Sequence, residues 1–306
     1  LISSILILKK LVFLNKNMIN QYTLLPVLSK YNSHPRDCNI QFEEVGHKYT
    51  ILTDPDSTYT SVTTWNHSHF PHFDANKVIQ NMMCGKNWNP QNKYWGLTPE
   101  KIKEQWYNNG QSVSNAGTDM HYQIECFMNN PNLQYPYTHA NLYQNYLENT
   151  TQLDNENNTQ EWKYFIEYIR DFPEYKPYRT EWTIYDEELK LAGSIDMVYE
   201  KDDGTLAIYD WKRAKNITAI NKYNEYASTE CISQYPHSNF WHYSLQLNTY
   251  KAIIELNYGK KVTELCLVRL HPDAEEKTYE LFPVPDMQSS IKELFELRKN
   301  IKTLKN

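Results

Sequence analysis

Glycine and cysteine are scarce in this chain, 8 and 5 in 306 residues. The thiols Cys38, Cys84, Cys126, Cys231 and Cys266 are scattered with no Cys-x-x-Cys spacing. That pattern excludes a disulfide framework, a zinc knuckle and an iron–sulfur cluster, and it reads as reduced, mostly buried thiols of an intracellular protein. A membrane-crossing apolar run is missing too, because the leading LISSILILKKLVFL is broken by Lys9 and Lys10. The chain also lacks a basic excess: its net charge is -6 and its pI about 6.0. Coating nucleic acid by bulk positive charge is thereby excluded, but gripping it locally is not. Internal repeats, low-complexity linkers and helicase motifs are absent from the sequence, and no acidic residue precedes Asp37. Residues 1–17, ahead of the first methionine, Met18, read as a leader or a non-native extension; the rival reading is an organelle transit segment, which leaves the compartment open.

What is present is aromatic and polar, with 25 Tyr and 8 Trp, in a chain long enough to bury a substantial core. Residues 39–52 read as a hairpin turning near Gly46, and residues 74–84 and 99–109 as helices, the second with Pro99 in its first turn. A further helix is expected to open at Gly117 with Thr118 as its cap. Residues 149–160 read as an exposed loop, and EWKYFIEYIRDF as an amphipathic helix ended by Pro173. From about residue 178 the pattern changes to three strands, YRTEWTIYD, KLAGSIDMVYE and TLAIYDWK, then a long helix over about 239–257, a strand VTELCLVRL, a short strand near TYELFPV and a closing helix. The fold expected is α/β, a mixed central sheet flanked by helices. Its core spans 176–306, and an N-terminal hairpin and helical portion spans 18–175.

Chemistry concentrates at the ends of two strands. Asp196 lies near the end of the second, in GSID, while Asp210 and Lys212 end the third. Strand alternation puts Asp210 and Lys212 on one face and Trp211 on the other. Two carboxylates converging on one ion offer the hard oxygen ligands that Mg²⁺ or Mn²⁺ prefers, with Lys212 beside it to orient the attacking water and offset phosphate charge.

An Asp in a Gly-x-x-Asp strand followed by Asp-x-Lys on the next resembles the PD-(D/E)XK nuclease superfamily. Gln246 and Tyr250, a Gln-x-x-x-Tyr pair on one helix face, and Gly117-Thr-Asp-Met-His121 upstream make the RecB and lambda-exonuclease branch the closer likeness. Taken residue by residue, the resemblance implies that Asp196 and Asp210 bind metal, that the Trp211 carbonyl completes the shell, and that His121 binds the same or a second ion. Lys212 would be the catalytic lysine, with Gln246 and Tyr250 steadying it, the water or the phosphate backbone. It implies one or two Mg²⁺ or Mn²⁺ ions, products with 5′-phosphate and 3′-hydroxyl ends, and a restriction-endonuclease-like core. Asp210 stands where the family more often has Glu.

Glu125, one turn beyond His121, and Glu181, on the preceding strand, are candidates for an outer shell or a second ion. Arg213, Lys215 and Lys222 directly follow the site and are candidates for holding the phosphate backbone. Trp106, Tyr107 and Tyr122 read as core or as a base-stacking surface. His67, His69 and His72 have a spacing that could bind zinc, but with no cysteine or fourth ligand nearby they read as a loop. The expected function is divalent-metal-dependent hydrolysis of DNA phosphodiesters, as an exonuclease or end-processing enzyme in replication, recombination or repair. The expected partners are DNA, single-stranded or with a free end, and a separate helicase or replication protein, with no membrane. Two other readings compete: a nuclease-fold accessory that binds nucleic acid without cutting, and a carbohydrate hydrolase using Asp196 and Asp210 as an acid/base pair.

Overall fold

The computed structural model describes residues 26–153 and 159–303. The leader segment and part of the loop expected at 149–160 therefore lie outside the described residues.

Eleven residues of β4 (Lys176–Asp186) and ten of β5 (Leu191–Glu200) form the longest pairing, antiparallel along their length. β6 (Leu206–Lys212) pairs antiparallel with β5, then parallel with β7 (Val262–Arg269), which pairs antiparallel with β8 (Glu280–Pro283). The two-residue β3 (Thr60–Ser61) joins the start of β5 in parallel. The result is a mixed sheet in which β6 and β7 are central and buried along most of their length, with Leu206–Tyr209 and Leu265–Val268 as their apolar stretches. A separate hairpin of β1 (Ile40–Glu43) and β2 (Lys48–Ile51) turns at Gly46, whose φ of 86° a residue without Cβ adopts readily.

Apolar side chains on the two sheet faces make two cores. One packs Ile184, Val198, Ile208 and Leu267 under α7 (Asn239–Asn257) and α8 (Gln288–Thr303), through Leu245, Ile253 and Leu294. The other packs Tyr199, Tyr209 and Trp211 under α4 (Pro99–Met128) and α6 (Gln160–Asp171), through Met120, Ile124, Phe165 and Tyr168. Before α4 come the short α1 (Val27–Tyr31) and α2 (Val62–His67) and then α3 (Ala75–Met83); α5 (His139–Leu153) lies between α4 and α6.

Three expectations need correction. Residues 149–153, expected in a loop, end α5 instead. The helices expected at 99–109 and from Gly117 are one 30-residue helix, α4, so Thr118 caps nothing. Gly110 and Gly117 weaken a helix without ending it, no proline interrupts residues 100–128, and both ends are anchored, by Ile102 and by Met120, Ile124 and Met128. Nor are the thiols mostly buried: Cys38, Cys84 and Cys126 are exposed and only Cys266 is fully buried.

Asp37 fastens the N-terminal segment to β4. Its Oδ2 accepts from Arg179 Nη1 at 2.6 Å and from the His34 amide at 2.8 Å, and its Oδ1 accepts from Trp182 Nε1 at 3.0 Å. Arg179 is almost fully buried, so removing its carboxylate strands a charge. We predict that Asp37→Ala lowers unfolding free energy by about 3 kcal/mol, toward the low end for a broken buried pair because Asp37 itself is partly exposed. Urea unfolding checks this, and a loss below about 1 kcal/mol would contradict the fastening role.

Candidate active site

β5 and β6 stay paired only from Glu200–Leu206 to Met197–Tyr209. Beyond that point β6 keeps its bonds to β7 through Lys212 but leaves β5. The buried amide of Trp211 needs another acceptor, and Asp196 Oδ2 supplies it at 3.0 Å. The site is built in the opening between the two strands.

Opposite Asp196 in the β4–β5 register lies Glu181, with φ of 44°, an uncommon conformation for a residue other than glycine. The alternation of faces changes there. Trp182 and Ile184 face the α7 core, whereas Thr180 turns to α4 and accepts from Asn129 Nδ2 at 2.7 Å. Glu181 Oε2 accepts from Ser194 Oγ at 2.9 Å, and its Oε1 lies 3.8 Å from His121 Nδ1.

His121 reaches in from α4. Its Nε2 is 2.9 Å from the Trp211 carbonyl. A carbonyl only accepts, so Nε2 carries the hydrogen and Nδ1 is turned to Glu181 and, at 3.5 Å, to Asp196 Oδ2. Burial lowers the affinity of this imidazole for a proton, but the Asp196 and Glu181 carboxylates outweigh it and hold its pKa up at about 9. His121, Glu181 and Asp196 thus offer one nitrogen and two carboxylates, all within 4.8 Å of one another. This donor set fits Mn²⁺ or Mg²⁺. In this geometry the Trp211 carbonyl orients the histidine, the arrangement that ligating imidazoles commonly require.

Asp210 lies outside that group of three. It is buried, and its Oδ2 pairs with Lys212 Nζ at 2.5 Å without a well-aligned hydrogen bond among the described residues. Burial raises its pKa to about 6 against the pull of Lys212, with Asp196 pushing the same way as burial. Burial likewise raises Asp196, and Glu181 adds to it. Burial pulls Lys212 down, but Asp210 and Asp196 reverse this and hold it above the ordinary lysine value. A buried acid and a largely buried one within electrostatic reach of each other form a cation-seeking pair.

α7 supplies the wall. Its Gln246 Nε2 donates to Tyr250 Oη at 3.0 Å. Tyr250 packs against Gly193, where a Cβ would come within 2.7 Å of the Tyr250 ring. That contact explains the glycine of Gly-x-x-Asp, a role the sequence reading did not assign. The reading also missed Tyr243, whose ring centroid is 4.5 Å from Lys212 Nζ. Its signal was the helical spacing of 243, 246 and 250, which places all three on one side of α7.

The remaining candidates are placed as follows. Glu125 is half-buried on α4, outside the group of three. Arg213 Nε is bound to Glu161 Oε1 at 2.6 Å, which commits it to joining β6 and α6. Lys215 is exposed, 3.9 Å from Asp273, and Lys222 is exposed. Trp106 sits beside Phe73 and Tyr94, while Tyr107 and Tyr122 are exposed. His67, His69 and His72 do not converge: His69 Nδ1 pairs with Thr229 Oγ1 at 2.9 Å, and His67 lies beside His242.

Residues 100–305, about two thirds of the chain, match the sequence model of the PD-(D/E)XK nuclease superfamily, and the chain belongs to that superfamily. The match takes in His121 on α4 as well as strands β4 to β8 and α7. A search of curated proteins found no match.

Two predictions follow from the geometry. We predict that Glu181→Gln and Asp196→Asn each weaken Mn²⁺ binding at least tenfold, read by calorimetry; unchanged affinity in both would remove them as ligands. We also predict that Gly193→Ala destabilises the protein by about 1–3 kcal/mol and that adding Tyr250→Ala cancels part of this loss. Additive losses in the denaturation cycle would mean that the two residues do not meet.

Proposed function

We propose that this protein is a divalent-metal-dependent deoxyribonuclease of the RecB and lambda-exonuclease-like branch, acting on strands with a free end. The observation that carries the reading is the convergence of His121, Glu181 and Asp196 from three separate elements, beside a buried Asp210–Lys212 pair. A pair of acids on a sugar ring would not call for an imidazole and a buried ammonium in the same opening, which argues against a glycosidase.

A divalent cation held there supplies Lewis acidity at a phosphate oxygen and a bound water acidic enough to attack near neutral pH. His121, Glu181 and Asp196 would hold it, with Asp210 at the edge of the same opening. Lys212, ion-paired to Asp210 and capped by the Tyr243 ring, is a fixed positive charge for the phosphate oxygens and a donor to the attacking water. Trp211 keeps both its partners aligned, with its amide on Asp196 and its carbonyl on His121. Gln246 and Tyr250 hold the α7 side of the opening rigid.

Preference for a free end is supported by α4. Every residue from Tyr107 to Asn115 is exposed, so the helix crosses between its anchors without packing on either side, as expected of an element that spans a strand's path. Exposed Lys215 and Lys222 follow the site directly and suit the phosphate backbone.

We predict that end-labelled DNA is cut in Mg²⁺ or Mn²⁺, that EDTA abolishes cutting, and that Lys212→Ala lowers the rate by at least about a hundredfold at a temperature where circular dichroism shows the variant still folded. Wild-type protein that binds DNA but leaves it intact would make the chain an accessory. We further predict that a closed single-stranded circle resists digestion while the same strand, linear, is consumed; equal rates would refute the free-end preference.

A further inference from the structure

The structure brings together three histidines that sequence spacing had kept apart. His67 ends α2, His237 directly precedes Ser238 at the N-cap of α7, and His242 lies in the first turns of α7. The His67 and His242 rings are 5.1 Å apart, and the His237 and His242 rings stack at 5.0 Å with an interplanar angle of 4°. Phe70 closes one side, 4.0 Å from His242.

Three polar atoms here are buried with no hydrogen-bond partner among the described residues: His242 Nε2, His237 Nδ1 and Ser238 Oγ. Ser238 is the most telling. It is 8% exposed and occupies the cap position of a 19-residue helix, yet its hydroxyl makes no capping bond. Buried polar groups are rarely left unsatisfied, and an unused cap hydroxyl at a helix N-terminus faces the positive end of the dipole. Around it stand imidazoles able to donate, at an opening where His67 is exposed to solvent. One acid is close: Glu225 Oε2 lies 3.5 Å from His237 Nδ1, on a side chain more than half exposed and therefore able to leave.

This cluster adjoins the candidate active site. Tyr243, the residue after His242, covers Lys212, and Gln246 Nε2 reaches Thr63 of α2 at 3.4 Å. We propose that His67, His237, Ser238 and His242 form a phosphate subsite at the N-terminus of α7, which holds a phosphate group of the substrate strand while Lys212 and the carboxylates address another. The proposal rests on the nucleic-acid substrate proposed above. It assigns to α7 two tasks at two positions, a wall for the acids through Gln246 and Tyr250 and an anion seat at its first turn. The phosphate comes from a strand terminus or from an internal phosphodiester, which share the same chemistry.

The test is binding without catalysis. Single-stranded oligonucleotides bearing a 5′-phosphate or a 5′-hydroxyl, labelled at the 3′ end, are titrated in EDTA and followed by fluorescence anisotropy. Wild type is compared with His67→Ala/His242→Ala and with Ser238→Ala. The double variant is expected to lose about tenfold in affinity. A loss confined to the phosphorylated strand assigns the seat to a terminus, and an equal loss on both assigns it to an internal phosphodiester. Affinity of both strands within twofold of wild type would overturn the proposal. So would a binding contribution that appears only when EDTA is removed and zinc is added, which would make the cluster a metal site.

A second measurement does not depend on the variants folding. Inorganic phosphate alone should shift the imidazole proton resonances of His237 and His242 in the wild-type protein, and unmoved resonances at saturating phosphate would also overturn the proposal. If those resonances move but neither oligonucleotide binds, the subsite stands and the nucleic-acid reading falls.

Discussion

The hydrogen bond from the Trp211 amide to Asp196 stands where ladder pairing between β5 and β6 has ended. A sheet that stayed paired would direct that amide into a strand bond and leave no opening. By parting after Met197–Tyr209 while β6 remains on β7, the fold creates a cleft whose edges are fixed by the most deeply buried strands of the molecule. Trp211 is buried in the core beneath α4 and α6, so Asp210 and Lys212, flanking it on the strand, face the other way. Its carbonyl then sets the tautomer and direction of His121. The backbone of one residue in a rigid strand therefore determines where two candidate ligands and the lysine stand.

Charge explains why the cleft is not simply filled with apolar side chains. Asp210 is a buried carboxylate and Asp196 a largely buried one, each raised in pKa by loss of water. Lys212 and a protonated His121 hold them in the protein by itself. Replacing such groups by well-packed apolar residues is often neutral or stabilising, so a cluster of this kind contributes little to holding the sheet together. Its physical logic is that of a binding site, where partly compensated charge is retained for an ion or a phosphate.

The strand, strand, strand, helix, strand order was legible because residues 176–269 alternate and terminate in the ways that strand and helix physics demand. The helix expected at about 239–257 spans Asn239–Asn257, and the turn at Gly46 is where the hairpin reverses. α4 was misread because Gly110 and Gly117 lie among Asn and Ser, a composition that local propensity scores as a break. What keeps it helical is tertiary, the burial of Ile102 at one end and of Met120, Ile124 and Met128 at the other. In the candidate site, motif order pointed to Asp196, Asp210, Lys212 and His121. It offered Glu181 only as a candidate for an outer shell or a second ion and could not foresee the left-handed backbone that turns it into the cleft, or that Arg213 would be spent on Glu161. Those outcomes depend on which strand lies opposite which, information that no local window contains.

α4 ties these features together mechanically. From Tyr107 to Asn115 it reads YNNGQSVSN, roughly 4–5 kcal/mol less helix-favouring than the same length of alanine, and it buries nothing there. Its helical state in that span is sustained by the anchored turns on either side. The exposed stretch is accordingly the part of the helix that opens at least cost, while the turn bearing His121 stays pinned between Met120 and Ile124. A strand of nucleic acid that displaced or ordered the exposed span would do so without unseating His121 from the Trp211 carbonyl. Low propensity in the middle of a long helix, flanked by firm anchors, keeps the placement of His121 independent of opening in the exposed span.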